Sequence, residues 1–172
     1  MEGELLLVLD MQKAILRKPI HERGRLIKNI NALIDTFSSS GSPVVLSRHT
    51  NKSLLIPQSD GWRVDDSIRV PPNVIMFNKR RSNIFEEAGF NQMLLDKGIR
   101  RLYVCGLVSN GCVQAACSEG VKQGFTVILP GDAHSTYVKD AGAVIEKWNT
   151  KLPECGVRII STAEVIRRVQ SQ

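Results

Sequence analysis

The stretch "LYVCGLVSNGCVQAACSEGVKQGFTVIL", residues 102–129, contains one complete repeat of an alternating architecture. Leu102 to Cys105 is an apolar run of strand length, Ser109-Asn110-Gly111 is a turn, Cys112 to Lys122 reads as a helix, and Phe125 to Leu129 is a second apolar run. Strands that are apolar without alternation are buried on both faces, the pattern of parallel strands joined by crossover helices.

The same unit recurs on either side. Leu5 to Leu9 is a continuous apolar run ending in Asp10, after which Leu26, Ile30, Leu33 and Phe37 mark one helical face that Gly41 terminates. Pro43 to Leu46, Val74 to Phe77 and Val157 to Ile160 read as further strands, and Phe90 to Lys97 and Lys139 to Trp148 as further helices. Ser161-Thr162-Ala163-Glu164 has capping-box spacing ahead of a last helix. Six strands alternating with helices predict an α/β fold, a three-layer doubly wound (Rossmann-like) domain on a six-stranded parallel sheet, with residues 1–172 as one domain. The segment from Thr50 to Pro72 lacks periodicity, and a loop of that length is expected to be a lid or a substrate loop.

Composition narrows the function classes. The apolar run Leu5 to Leu9 is too short to span a membrane and follows Glu2 and Glu4 instead of basic residues, so a cytoplasmic protein with no membrane partner is expected. Cys105, Cys112, Cys117 and Cys155 show no C-x-x-C spacing and no paired histidines, which predicts reduced thiols without a zinc clip. The net charge of +6 is scattered, and an aromatic content of 5% offers no platform for stacking bases, so no nucleic-acid partner is expected.

Ligands of such sheets bind beyond the carboxyl ends of the strands, and three residues stand there. Cys112, at the head of a helix, has the unpaired N–H groups and dipole end that favour a thiolate, or else it is a small buried hydrophobe of the kind expected for Cys105 and Cys117. Asp10, ending an otherwise apolar strand, is an acid/base candidate or a turn residue. Lys79 ends the third strand and begins the run Lys79-Arg80-Arg81, a solvated turn on its own but a stabiliser of negative charge beside a thiol. His21, His49 and His134 are dispersed, with no local pattern that marks a base for the thiol.

Taken together, "LLLVLDMQ" (5–12), "NKRRSNIF" (78–85) and "VCGLVSNGCVQAACSEGVKQGFTVILPGDAHST" (104–136) resemble the three signature blocks of the isochorismatase-like cysteine hydrolases. The resemblance implies Asp10 as general acid/base, Lys79 as the cationic member and Cys112 as nucleophile. It further implies strand order 3-2-1-4-5-6, a cis peptide between Leu107 and Val108, an oxyanion hole from the Val108 and Cys112 amides, and a homodimer or higher homo-oligomer. The implied activity is hydrolysis of a small amide or related C–N bond through a thioester. The alternatives are vinyl-ether cleavage of the isochorismatase type and a catalytically idle binding protein.

Two departures qualify the resemblance. Many members carry Ser-Ala-Phe after the lysine, whereas here Ser82 is followed by Asn83-Ile84-Phe85, leaving Phe85 and the loop residue Trp62 as candidates for the substrate wall. Nicotinamidases of the family place an Asp and histidines after strand two to hold a divalent ion. Here Ser47-Arg48-His49-Thr50-Asn51 stands in that place, so no metal and no other cofactor is expected.

Overall fold

A computed structural model describes residues 3–172. Seven strands form one sheet: β1 (Gly3–Leu9), β2 (Val44–His49), β3 (Ile75–Lys79), β4 (Ile99–Leu107), β5 (Thr126–Pro130), β6 (His134–Ser135) and β7 (Arg158–Ile160). The main path runs β3-β2-β1-β4-β5-β7, all parallel, so the six long strands take the expected order 3-2-1-4-5-6. The two-residue β6 is an addition to that reading; it lies off the path, beside the end of β4, pairing Gly106 with His134 and Leu107 with Ser135.

The helices are α1 (Lys13–Leu16), α2 (Arg23–Ser39), α3 (Phe90–Asp96), α4 (Gln114–Lys122), α5 (Ala141–Lys151) and α6 (Thr162–Gln170). Alternate residues of β1 divide the core in two. Leu6 and Val8 pack with Leu26, Ile30, Leu33 and Phe37 of α2 and with Val165 and Val169 of α6. Leu5, Leu7 and Leu9 face the other way, onto Phe90 and Leu94 of α3 and Ala116 and Cys117 of α4. Burying each such Leu stabilises the fold by about 1.5–3 kcal/mol, which is why a strand with no polar face is favoured at the centre of the sheet. Gly41 follows α2 with φ of 77°, the left-handed stop read from the sequence, and the Ser161 hydroxyl caps α6 by accepting from Glu164 N at 3.1 Å.

The centre of the sheet needs one glycine in particular. At Gly106 an added Cβ would stand 2.3 Å from the Leu9 carbonyl oxygen, and its φ is 114°. Only a residue without a side chain lets β4 run this close to the end of β1, where the next residue is Asp10. Among the described residues no helix is long and apolar enough to cross a membrane.

Candidate active site

β1 delivers Asp10 into a left-handed conformation, φ 52°, which Asp tolerates better than most residues. The turned backbone is tied to β2: Asp10 N donates to the Ser47 hydroxyl at 3.2 Å, and that hydroxyl in turn donates to Asp10 Oδ1 at 2.7 Å. β3 runs as far as Lys79, further than its apolar residues suggest, because it continues to pair with β2 through Arg48–Asn78 and His49–Lys79. Arg80 and Arg81 then turn away around Glu87, whose Oε1 accepts both of their backbone N–H groups at 2.6 and 2.9 Å.

Three of the candidate residues converge. Lys79 Nζ lies 2.8 Å from Asp10 Oδ2 and donates to Cys112 Sγ at 3.2 Å. Asp10 and Lys79 are each only 1% exposed. Burial on its own would lower the Lys79 pKa, but the Asp10 carboxylate and the Cys112 sulfur outweigh it and raise it, so the ammonium persists at neutral pH.

The setting of Cys112 corrects one expectation. α4 begins at Gln114, so Cys112 is not in its first turn; it sits just ahead, in a wide turn from Ser109 to Val113 closed by Val113 N donating to Val108 O at 3.2 Å. Gly111 breaks the helical path there, with φ −127° and ψ −109°. Burial and the facing Asp10 carboxylate push the Cys112 thiol up to about 11 despite Lys79. The resting thiol is therefore protonated, where a low-pKa thiolate was expected. Cys105 and Cys117 are fully buried and shifted up further by burial, the inert thiols that mid-strand and mid-helix positions predict. The Leu107–Val108 peptide is cis.

A fourth member of the cluster, His49, was not singled out as part of it from the sequence. Its Nδ1 lies 3.2 Å from Lys79 Nζ. Burial, then the neighbouring ammonium, lowers its pKa, so the ring is neutral, accepts from Lys79 at Nδ1 and carries its proton on Nε2. The signal was register: two adjacent parallel strands that end level put their last residues, His49 and Lys79, side by side. Gln12 holds this corner, its Nε2 donating to the His49 carbonyl at 3.0 Å and to the Trp62 carbonyl at 2.8 Å, while its Oε1 accepts from His49 N at 2.9 Å.

Asp10, His49 and Cys112 bring one ligand atom each within 4.8 Å of the others, the spacing of a metal site. The Lys79 ammonium lies within hydrogen-bond distance of all three, at 2.8, 3.2 and 3.2 Å, and so takes the place that a divalent cation would need. These residues do not fit a metal.

Trp62 and Phe85 are held by other contacts. Trp62 packs on Ala14 and Leu55, donates its indole N–H to the Thr50 hydroxyl at 3.1 Å, and carries the Arg48 guanidinium 3.8 Å above its ring. Phe85 stands edge-on to Phe90, with ring centroids 5.1 Å apart, and neighbours Phe125. No hydrogen bond or ring contact joins either one to Asp10, Lys79 or Cys112 among the described residues. The loop that carries Trp62 is pinned at both sides, by Lys13 N donating to Arg63 O at 3.0 Å and by the Asn51 carboxamide accepting from Leu54 N and Leu55 N at 2.9 and 2.8 Å.

A concavity of about 1110 Å³ lies elsewhere, at the amino ends of the strands between Gly3, Asp35, Ser40, Pro43 and Lys97. What marks the candidate site is a buried pair of opposite charges beside a thiol.

Comparison with known proteins agrees with this geometry. The isochorismatase domain model matches residues 4–164. A streptothricin hydrolase of Streptomyces noursei is 27% identical over 138 residues, covering 78% of this chain and 55% of that protein. The chain thus spans about half the length of the streptothricin hydrolases it matches, at 55% and 50%. Among solved structures, a cysteine hydrolase from Pseudomonas syringae superposes with a TM-score of 0.89 at 20% identity, over 98% of this chain and 92% of that one. The pyrazinamidase of Pyrococcus horikoshii in complex with zinc superposes with a TM-score of 0.79 at 22% identity, over 92% and 99%. A domain match spanning nearly every described residue, on a sheet of this order, makes the chain a member of the isochorismatase family.

Proposed function

We propose that the protein hydrolyses a small amide or related C–N bond, with Cys112 as nucleophile, Asp10 as general acid/base and Lys79 as the electrostatic partner of both. The observation that carries this reading is the buried contact of Lys79 Nζ with Asp10 at 2.8 Å and with Cys112 Sγ at 3.2 Å. Relatives named as streptothricin hydrolase and nicotinamidase support amide chemistry.

A thiol with a pKa of about 11 is thiolate in only about one molecule in 10⁴ at pH 7, so the anion forms as attack proceeds. The Sγ proton passes to the Asp10 carboxylate as the C–S bond forms, and the substrate carbonyl becomes an oxyanion held by the Val108 and Cys112 amides. Lys79, already charged, sits against the sulfur throughout. Asp10 then returns its proton to the leaving nitrogen as the C–N bond breaks. Water adds to the thioester, giving a proton to Asp10, and cleavage of the C–S bond releases the acid and restores the thiol. Proton shuttling by a carboxylate that keeps an ammonium partner is what distinguishes this arrangement from a cysteine–imidazolium pair.

The reading includes Trp62 and Phe85 as the sides between which a small substrate is held, a cytoplasmic setting, and a homo-oligomer in solution. Its test is amine or ammonia release from a panel of small amides, with intact-mass detection of an acyl group on Cys112. Turnover by the wild type and none by Cys112→Ala supports it. Equal turnover by the two, or cleavage confined to vinyl ethers, overturns it.

A further inference from the structure

A second buried polar chain reaches the turn that carries Cys112 from the opposite side. Ser109, the first residue of that turn, is 0% exposed, and its hydroxyl lies 2.8 Å from Nδ1 of His134, itself 4% exposed. His134 Nε2 lies 2.8 Å from Asn149 Oδ1 on α5. The Asn149 amide donates its Nδ2 to the Gly131 carbonyl at 3.0 Å, which fixes Oδ1 as the atom facing His134. An acceptor at that place puts the imidazole proton on Nε2 and leaves Nδ1 to accept from Ser109. The order of donation runs from Ser109 to His134 to Asn149 to the Gly131 carbonyl.

Ser, His and Asn in sequence have the composition of a catalytic triad, but this serine has no exposed surface, and no substrate carbonyl reaches it. The chain acts on what it touches. β6, which contains His134, lies against Gly106 and Leu107, the residues leading into the turn, and Thr136 just beyond it donates to Asn110 in the turn at 2.9 Å. β6 is anchored in its turn by the Ser135 hydroxyl donating to the His21 carbonyl at 2.7 Å. Burial, opposed by the Asn149 bond and Asp132, lowers the His134 pKa and keeps the ring in the neutral form that this order of donation needs.

We infer that His134 is a positioning residue for Cys112: through the Ser109 hydroxyl it fixes the turn from Ser109 to Val113, and so keeps Sγ against the Lys79 ammonium. The inference deepens the hydrolase reading and rests on it for its kinetic consequence, but the sulfur–ammonium contact is measurable without turnover.

The experiment follows iodoacetamide alkylation of Cys112 against pH by peptide mass spectrometry, with exposed Cys155 as internal control and a melting curve for each variant. The variants are Ser109→Ala, which deletes one oxygen, His134→Leu, and His134→Asn, which keeps an acceptor near Nδ1. Withdrawal of sulfur from the ammonium moves the Cys112 midpoint up by about 0.5–1 unit in Ser109→Ala and His134→Leu, while His134→Asn returns toward the wild type. On an amide substrate kcat falls about 10- to 100-fold in the same two variants with KM little changed. A lowered melting temperature with an unmoved Cys112 midpoint overturns the proposal, since that is the signature of packing alone. If His134→Leu does not fold, an unmoved midpoint in Ser109→Ala overturns it equally. A wild type without amide turnover but with the predicted midpoint shifts sinks the hydrolase reading and leaves the positioning role standing.

Discussion

Two polar clusters flank the turn that carries Cys112, and they differ in kind. On one side Asp10 and Lys79 bring a pair of opposite charges, 2.8 Å apart, to Cys112, with the Lys79 ammonium 3.2 Å from the sulfur and 3.2 Å from the neutral His49 ring. On the other, Ser109, His134 and Asn149 form a neutral chain with one donor and one acceptor at each link. The charged side has alternatives: protons move among its members, and its interactions change as sulfur becomes an anion. The neutral side has a single satisfied arrangement, which suits it to holding geometry. In the proposed function, chemistry and positioning divide between the two faces of one five-residue turn, Ser109–Val113.

Breaking the charged side has the largest expected effects. Cys112→Ala should reduce turnover to background. Lys79→Ala should lower kcat/KM by about 10³-fold or more, and it leaves the 1%-exposed Asp10 without its counter-ion, a loss of about 3–5 kcal/mol of stability by urea titration. The double variant Asp10→Asn/Lys79→Ala should regain part of that stability and none of the activity. Full stability in Lys79→Ala alone would mean that water reaches Asp10 and that the cluster is not dry.

The comparison sharpens when the two charges are removed separately. Asp10 raises the Cys112 thiol and Lys79 lowers it. Asp10→Asn should therefore bring the thiol down from about 11, and Lys79→Ala should take it higher, each by about 1 unit or more, followed by thiolate absorbance near 240 nm against pH. Both variants lose turnover, so ionisation and catalysis part company in Asp10→Asn. Movement of the two midpoints in the same direction would rule out a thiol placed between opposite charges.

How far these clusters were legible follows from what each residue depends on. Asp10, Lys79 and Cys112 end or follow apolar runs of their own, and local pattern places each at a carboxyl end of the sheet. The two-sided core follows from the same runs, whereas the strand order is implied by the resemblance of the three signature blocks. His49 and His134 depend on partners distant in sequence: His49 acquires its place from the register of β2 against β3, and His134 from a two-residue strand with no periodicity to detect. α4 starts at Gln114, two residues beyond the start the apolar pattern predicts, because Cys112 and Val113 continue that pattern while belonging to the turn around the unusual backbone of Gly111. The raised thiol pKa departs from expectation for a related reason. Position ahead of a helix is local, whereas burial against Asp10 is not.

Smaller effects come from pH, where the two histidines answer differently. Burial lowers both below the ordinary 6.5, so between the folded value and 6.5 the unfolded chain binds more protons than the folded one. Stability is then complete above about pH 6.5 and declines as pH falls. His134, at 4% exposed, should dominate, and His134→Asn should flatten the fall of melting temperature as pH drops below about 6.5, by the equivalent of one proton. His49→Asn should flatten it less, while altering kcat through its contact with Lys79 at 3.2 Å. An unchanged acid slope in His134→Asn would mean that the neutral chain accepts a proton without breaking.

The smallest expected effect is none, and it tests what kind of cation organises the charged side. Asp10, His49 and Cys112 offer oxygen, nitrogen and sulfur at metal-site spacing, a donor set that suits zinc. The Lys79 ammonium contacts all three, at 2.8, 3.2 and 3.2 Å, and a divalent ion bound by the same atoms would have to expel that buried charge. Exhaustive chelation should therefore leave both turnover and melting temperature unchanged. Lys79→Met inverts the case: with the ammonium gone, the three donors face one another around an uncharged side chain, and added zinc should raise the melting temperature of this variant but not of the wild type. Loss of wild-type activity on chelation with recovery on adding zinc or iron would show a metal, rather than Lys79, at the centre of the charged cluster.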